Sequence, residues 1–272
     1  MKLLAIDAGN THTVSGLFEG KKLKKVWRVE SNPKGLKNLS RKLPQGIEGV
    51  IVSSVVPPLR KKLVQMIRKC RALSAIFVTP NLKMPIRIRT KNPKEVGADR
   101  IVNAVAAYTK YEGQVARGEL FGHRLSGTKS FPKRQDPTSK QPLLVIDFGT
   151  ATTFDVVTSR GDYIGGAIVP GIKIAAEALA EKCAKLPRVT ILRPKKLIGR
   201  STIQAIRSGV FYGYASLVEG MIVRFKKELG PRLKIIATGG LAPLIGREVL
   251  GIDEVDPNLT LKGLRLLYEL NR

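Results

Sequence analysis

The sequence predicts an α/β protein of two domains with duplicated topology and a cleft between them. Three observations carry that prediction: an internal repeat, the same hairpin after each copy, and strands alternating with helices elsewhere. Residues 3–13 read Leu-Leu-Ala-Ile-Asp-Ala-Gly-Asn-Thr-His-Thr, and residues 143–153 read Leu-Leu-Val-Ile-Asp-Phe-Gly-Thr-Ala-Thr-Thr, at a constant offset of 140. Each copy continues into a β-prone run (14–18; 154–158), a Gly turn at Gly20 or Gly161, and a second β-prone run (23–29; 163–169). One match could be chance, but two followed by the same hairpin argue for two similar domains.

The remaining elements follow in order. Residues 50–56 form a continuous apolar run, the pattern of a buried strand, ended by Pro57-Pro58. Pro58 suits the first turn of a helix, whose apolar face is Leu59, Leu63, Met66, Ile67 and Cys70. Residues 75–78 read as a short strand, and 98–108 as a helix entered through Asn92-Pro93 and Gly97. In the second half, 172–179 and 202–229 read as helices. The longer one carries Ile203, Ile206, Val210, Leu217 and Met221 at core spacing. Its Gly209, Gly213 and Gly220 predict close packing of another element. Residues 233–237 are a strand ending in Thr238-Gly239-Gly240, and 259–270 a terminal helix. Residues 112–141 break the periodicity with Gly, Ser, Thr, Pro, Lys and Arg, the composition of a basic surface loop. The division is therefore 1–111, a 112–141 insertion, and 142–272.

Composition narrows the class. Of 272 residues, 43% are hydrophobic and 25% charged, values that exclude wholesale disorder. Two Cys (Cys70 and Cys183) cannot build a disulfide framework and suggest a reducing compartment. The first apolar run is cut by Asp7 before it could serve as a signal segment, and no uncharged apolar run approaches a membrane span. These features predict a cytoplasmic protein with no membrane partner. The formal net charge of +27 is the unusual quantity. Its basic residues are scattered in short clusters (21–25, 60–62, 68–71, 195–196, 226–227), so a solvated basic surface binding nucleic acid only non-specifically is expected.

A strand followed by Asp-x-Gly and small hydroxyl residues suits phosphate. Gly9 lets backbone N–H groups approach phosphate oxygens, and Asn10, Thr11 and Thr13 add side-chain donors. The carboxylate cannot itself bind phosphate, so it implies a bridging Mg²⁺ or an ordered water. The duplicated pair could hold both sides of a polyphosphate. No G-x-x-x-x-G-K-[ST] or G-x-G-x-x-G motif is present. His12 reads as a neutral packing or hydrogen-bonding group in the turn. Neither Cys has a His nearby in sequence, so thiol or zinc chemistry is not expected.

The paired Asp-x-Gly hairpins resemble the two phosphate loops of the actin/hexokinase/Hsp70 superfamily, whose domains are ribonuclease H-like and enclose a nucleotide cleft. A fuller set resembles type III pantothenate kinase. The matching strings are residues 7–13, Gly97-Ala98-Asp99-Arg100 followed by Ile-Val-Asn-Ala, residues 147–153, residues 165–171, Ser201-Thr202, residues 238–241 and the final Leu-x-Gly-Leu. That resemblance implies phosphorylation of pantothenate by ATP, the first step of coenzyme A synthesis, by a homodimer needing Mg²⁺ and a monovalent cation (K⁺ or NH₄⁺). It implies that Asp7, Ala8, Gly9, Asn10, Thr11, His12 and Thr13 form the first phosphate loop, with Asp7 on Mg²⁺ through the phosphates. It places Thr150 on ATP, Asp147 on the monovalent cation, and Gly97, Ala98, Asp99, Arg100 and Thr202 around pantothenate. Asp99 would accept the proton of the substrate hydroxyl, and Gly239 and Gly240 would pack adenosine. The alternative is a regulatory protein that uses the same nucleotide fold and binds nucleic acid through its basic surface.

Overall fold

The computed structural model describes residues 1–70, 72, 74–117 and 141–272. Two sheets form the frame. The first contains β1 (Lys2–Ala8), β2 (His12–Glu19), β3 (Lys22–Glu30), β4 (Gly49–Ser54) and β5 (Ser74–Phe77) in the order β3-β2-β1-β4-β5. The second contains β6 (Arg87–Ile88), β7 (Leu143–Phe148), β8 (Ala151–Val157), β9 (Asp162–Pro170), β10 (Lys234–Thr238) and β11 (Glu254–Val255) in the order β11-β10-β7-β8-β9-β6. In each, an antiparallel meander (β1–β3; β7–β9) is extended by parallel strands on the other side of its first member. The repeat thus becomes one topology used twice.

Strand alternation places the two aspartates. Along β1, Leu3 and Ala5 face a central core while Leu4, Ile6 and Ala8 face an outer one. Along β7, Leu143 and Val145 face the same central core, and Leu144, Ile146 and Phe148 an outer one. By period two, Asp7 and Asp147 continue the inward rows. Both central strands are buried on both faces, which is why they read as unbroken apolar runs rather than alternating ones.

The helices complete the layers. The outer face of the first sheet carries α1 (Pro33–Lys42) and α2 (Arg60–Lys69), through Leu36, Leu39, Leu63, Met66 and Ile67. Asn32 caps α1 by accepting from Gly35 N at 2.7 Å, with Pro33 in the first turn. Between the sheets lie α3 (Ala98–Arg117) and α7 (Leu259–Asn271), packed on each other. The outer face of the second sheet carries α4 (Ile172–Lys182) and α5 (Thr202–Leu229); the four-residue α6 (Ala242–Ile245) follows β10.

Three findings differ from the sequence reading. Two elements cross the division at 112–141: β6 pairs with β9 of the second sheet, and α7 returns to pack on β1 and β4 of the first. Helix α3 continues through Arg117, so residues 112–117 are helical; the rest of the expected loop, 118–140, lies outside the described residues. Finally, among the described residues nothing lies within 4 Å of where a Cβ would sit on Gly209, Gly213 or Gly220. They face outward on α5, because the helix buries the opposite stripe of Ile206, Ser208, Phe211, Tyr214, Ala215, Val218 and Ile222. No helix among the described residues is long and apolar enough to cross a membrane.

Candidate active site

The two hairpin turns meet. Thr11 Oγ1 lies 2.8 Å from Thr150 Oγ1, joining residues 139 apart in sequence. Around them is a cleft of about 380 Å³ lined by Asp7, Gly9, Asn10, Thr11, His12, Asp99, Asp147, Gly149, Thr150, Gly239 and Gly240, among others. Three carboxylates from β1, β7 and the first turn of α3 therefore share one space.

Several expected residues sit elsewhere. Ala8 belongs to the outer core, and Thr13 is buried with its hydroxyl 2.9 Å from that of Ser31. Thr202 is exposed at the start of α5, apart from the residues lining the cleft. Gly97 and Ala98 lead into α3 behind Asp99.

Asp99 next to Arg100 could have been a local ion pair. Instead the Arg100 guanidinium pairs with Asp155 at 2.7 Å. Asp155 is fully buried and also accepts from Tyr163 Oη (2.7 Å) and Thr153 Oγ1 (2.8 Å). A buried carboxylate so supplied is satisfied, and Arg100 is held away from Asp99. The Asp99 carboxylate takes the Arg100 backbone N–H at 2.8 Å and remains in the cleft. Burial raises its pKa, and the negative charge of Asp155 adds to the rise against the pull of that N–H and of the Arg100 charge.

Asp7 and Asp147 are both pushed up to about 7, first by burial and then by other carboxylates: Asp99 and Asp147 act on Asp7, Asp99 and Asp155 on Asp147. Such a cluster is short of positive charge, the condition a cation or a cation-bearing substrate relieves. Among the described residues no three His, Cys, Asp or Glu side chains converge as a metal site. The donors fit Mg²⁺ in its usual manner, through one or two carboxylates with phosphate and water oxygens. His12, in the first turn, is held below its ordinary pKa by burial and by the charges of Arg28 and Lys173, against the pull of Glu30; the shift favours its neutral form.

The frame around Asp147 is specific. Asn103 Nδ2 donates to Asp147 Oδ2 at 2.9 Å, while Asn103 Oδ1 accepts from Thr260 Oγ1 at 2.7 Å. Gly239, at φ +94°, lies so close to Asp147 Oδ1 and to the Phe148 backbone that no side chain could stand there. Register puts Ser53 opposite Asp7 on β4 and Thr238 opposite Asp147 on β10. Both hydroxyls are buried, and among the described residues neither makes a full hydrogen bond, although the Ser53 hydroxyl is near enough to Asp7 to draw its pKa down. Sequence reasoning missed Asn103, Asp155, Arg28 and Lys173. Asn103, inside the Ile-Val-Asn-Ala string, and Lys173, two residues after Gly171 at the start of a helix, carried a local signal.

Duplicated sheets, a cleft between them and paired Asp-x-Gly turns define an actin-like kinase fold. Solved structures agree in architecture: a Campylobacter jejuni protein provisionally assigned to the Baf family of transcriptional activators has a TM-score of 0.56 at 18% identity, covering 98% of this chain and 97% of its own. The ethanolamine utilization protein EutJ of Carboxydothermus hydrogenoformans has a TM-score of 0.51 at 12% identity, covering 98% and 90%. At such identities the likeness concerns the fold alone. Sequence decides the family. The type III pantothenate kinase family profile matches residues 3–116 and 133–224. Type III pantothenate kinases of Moorella thermoacetica and Myxococcus xanthus are 45% and 42% identical, each over 99% of this chain and at least 98% of their own. The chain belongs to the type III pantothenate kinase family.

Proposed function

We propose that this cleft moves the γ-phosphoryl group of ATP to the primary hydroxyl of pantothenate, with Asp99 accepting the hydroxyl proton. The observation that carries the reading is the freedom of Asp99: its neighbour Arg100 is committed to Asp155, so the carboxylate faces the meeting point of the two phosphate turns. Phosphoryl transfer is mostly positioning and charge stabilisation, with a carboxylate orienting the nucleophile. A raised Asp99 pKa suits a proton acceptor, since it narrows the gap to the hydroxyl.

Gly9, Asn10, Thr11 and Thr150 would hold the triphosphate by N–H and hydroxyl donors, with Gly239 and Gly240 against adenosine. Mg²⁺, on Asp7 through the phosphates, would neutralise charge on the transferring group. Asp147, braced by Asn103, would hold the monovalent cation, K⁺ or NH₄⁺. Gly97, Ala98 and Arg100 would shape the pantothenate side. Residues 1–111 and 142–272, with β6 and α7 crossing between them, would form the two halves of the cleft, in a cytoplasmic enzyme.

The homodimer reading rests on α5. Its outward face carries Ile203, Leu217 and Val223 exposed at 43%, 40% and 66%, beside the open Gly209, Gly213 and Gly220. A second copy covering this face would bury these apolar side chains, with Thr202 at the end of the same helix. Val223→Arg should shift the sedimentation coefficient toward monomer.

A coupled assay of ADP formation tests the whole reading. ATP turnover should require pantothenate; turnover independent of it would discard the reading.

A further inference from the structure

The cleft's three aspartates face a substrate that is itself strongly anionic, so the cations lining it matter. Among the described residues they are Arg28 and Lys173. Arg28 lies on β3 opposite Val14, another cleft residue. Its guanidinium crosses to the second half and lies over Gly240, where a Cβ would meet Nη1 at 2.8 Å and Nη2 at 3.0 Å. A side chain at position 240 would displace it. Its charge reaches both Asp7 and Asp147, drawing each carboxylate down against the effect of burial. Among the described residues it forms an ion pair with neither, nor with any other carboxylate. The contrast with Arg100, locked by Asp155, is direct. Arg28 is a planar, permanently charged fork held by neighbouring strands at the mouth of the two phosphate turns.

We propose that Arg28 is a phosphate-binding residue of the transfer, its fork taking oxygens of the β- and γ-phosphates from the first-sheet side, opposite Lys173 at the first turn of α4. This deepens the kinase reading and rests on it. The step balances without a proton from Arg28. The hydroxyl oxygen forms the new P–O bond as the bond to the ADP oxygen breaks, the hydroxyl proton passes to Asp99, and Arg28 supplies charge and bidentate hydrogen bonds where negative charge is spread. The position over Gly240 makes the residue bridge the two halves, so binding of the triphosphate on Arg28 also fixes the width of the cleft.

The test uses the full chain as Arg28→Ala, with Arg28→Lys as the second variant should Ala not fold. The expected result is a fall in kcat/KM for ATP of about 10²–10³-fold, the usual effect of removing one donor from a transition-state site. The pantothenate KM should not change. Arg28→Lys should recover only part of the loss, because a point charge cannot replace the fork. Guanidinium ion added to Arg28→Ala should restore part of the rate and should not help Asp99→Asn. Calorimetry with adenosine, AMP, ADP and a non-hydrolysable ATP analogue should show an affinity loss that grows with each phosphate. An equal loss for adenosine and all three nucleotides would place Arg28 on the base and overturn the proposal, as would unchanged kinetics or a rise in pantothenate KM alone. If wild type showed no pantothenate-dependent turnover, the kinase reading would fall, while the affinity series would still judge Arg28.

Discussion

The two halves share a strand order but differ in what ties their aspartate down. Asp7, in the first half, stands beside the buried Ser53 hydroxyl at the edge of a turn that offers Asn10, Thr11 and His12. Asp147, in the second, is held by Asn103, itself held by Thr260. The helix that supplies Asn103 also supplies Asp99, and it is fastened to the second half again by Arg100 to Asp155 and by Lys110 to Glu254. Duplication explains why there are two carboxylates in one cleft. The asymmetric tethers fix the carboxylates of α3 and β7 as one unit and leave Asp7 outside it.

The largest expected effect breaks the acceptor side. Asp99→Asn should fold normally and bind ATP, yet lose about 10²–10⁴-fold in kcat, the range of a general base. Near wild-type kcat would remove Asp99 from the role.

Next comes the tether of the helix. Asp155→Ala leaves the Arg100 guanidinium, only 17% exposed, without its carboxylate. Breaking a buried pair costs about 3–5 kcal/mol, and the residual solvent at Arg100 puts this case toward the lower end. Calorimetric melting checks it; a cost within error of zero would mean that the network does not hold α3. The corresponding change in the first half, Ser53→Ala, should cost much less, because among the described residues the Ser53 hydroxyl has only a weak interaction with Asp7 and no full hydrogen bond.

These two comparisons also show what was legible in the sequence. The positions of Asp7 and Asp147 followed from the repeat and from strand alternation, which are local. The tethers did not, because they depend on where α3 lands against β8 and β7. Asp155 has no motif that distinguishes it from other polar residues, and Asn103, though inside the Ile-Val-Asn-Ala string, carries no local sign of its partners. Helix α1 was announced by Asn32-Pro33 but passed over, since Leu36 and Leu39 are its only large buried side chains. Strand β6 is two residues long, too short for any periodicity. The glycines of α5 predict close packing, and among the described residues nothing approaches them.

A subtler difference is pH. Asp7 and Asp147 have folded pKa values of about 7 against 3.8 for the ordinary group. Between those values the folded protein binds more protons than the unfolded chain, so this contribution is fully present below pH 3.8 and is lost as pH rises through 7. The nucleotide-free protein should therefore melt progressively lower across that window, and Asp7→Asn with Asp147→Asn should flatten the trend relative to wild type. Equal slopes for the two proteins would contradict the charge-starved cleft.

The smallest effect is expected between the halves. The family match stops at residue 116 and resumes at 133. Replacing residues 118–132 by a short Gly/Ser linker should leave kcat and melting temperature almost unchanged, since doubling a loop's length costs only about 0.6 kcal/mol. A large loss of activity with the melting temperature kept would make that segment part of the site.

Single-turnover transfer measures the central claim most directly. Enzyme in excess of Mg·ATP is mixed with pantothenate and quenched, and wild type is compared with Asp99→Asn at equal nucleotide occupancy. The account predicts rapid appearance of phosphopantothenate in wild type, and retained ATP with little transfer in the variant. Equal transfer rates in the two proteins, or ADP formed in wild type without phosphopantothenate, would contradict it.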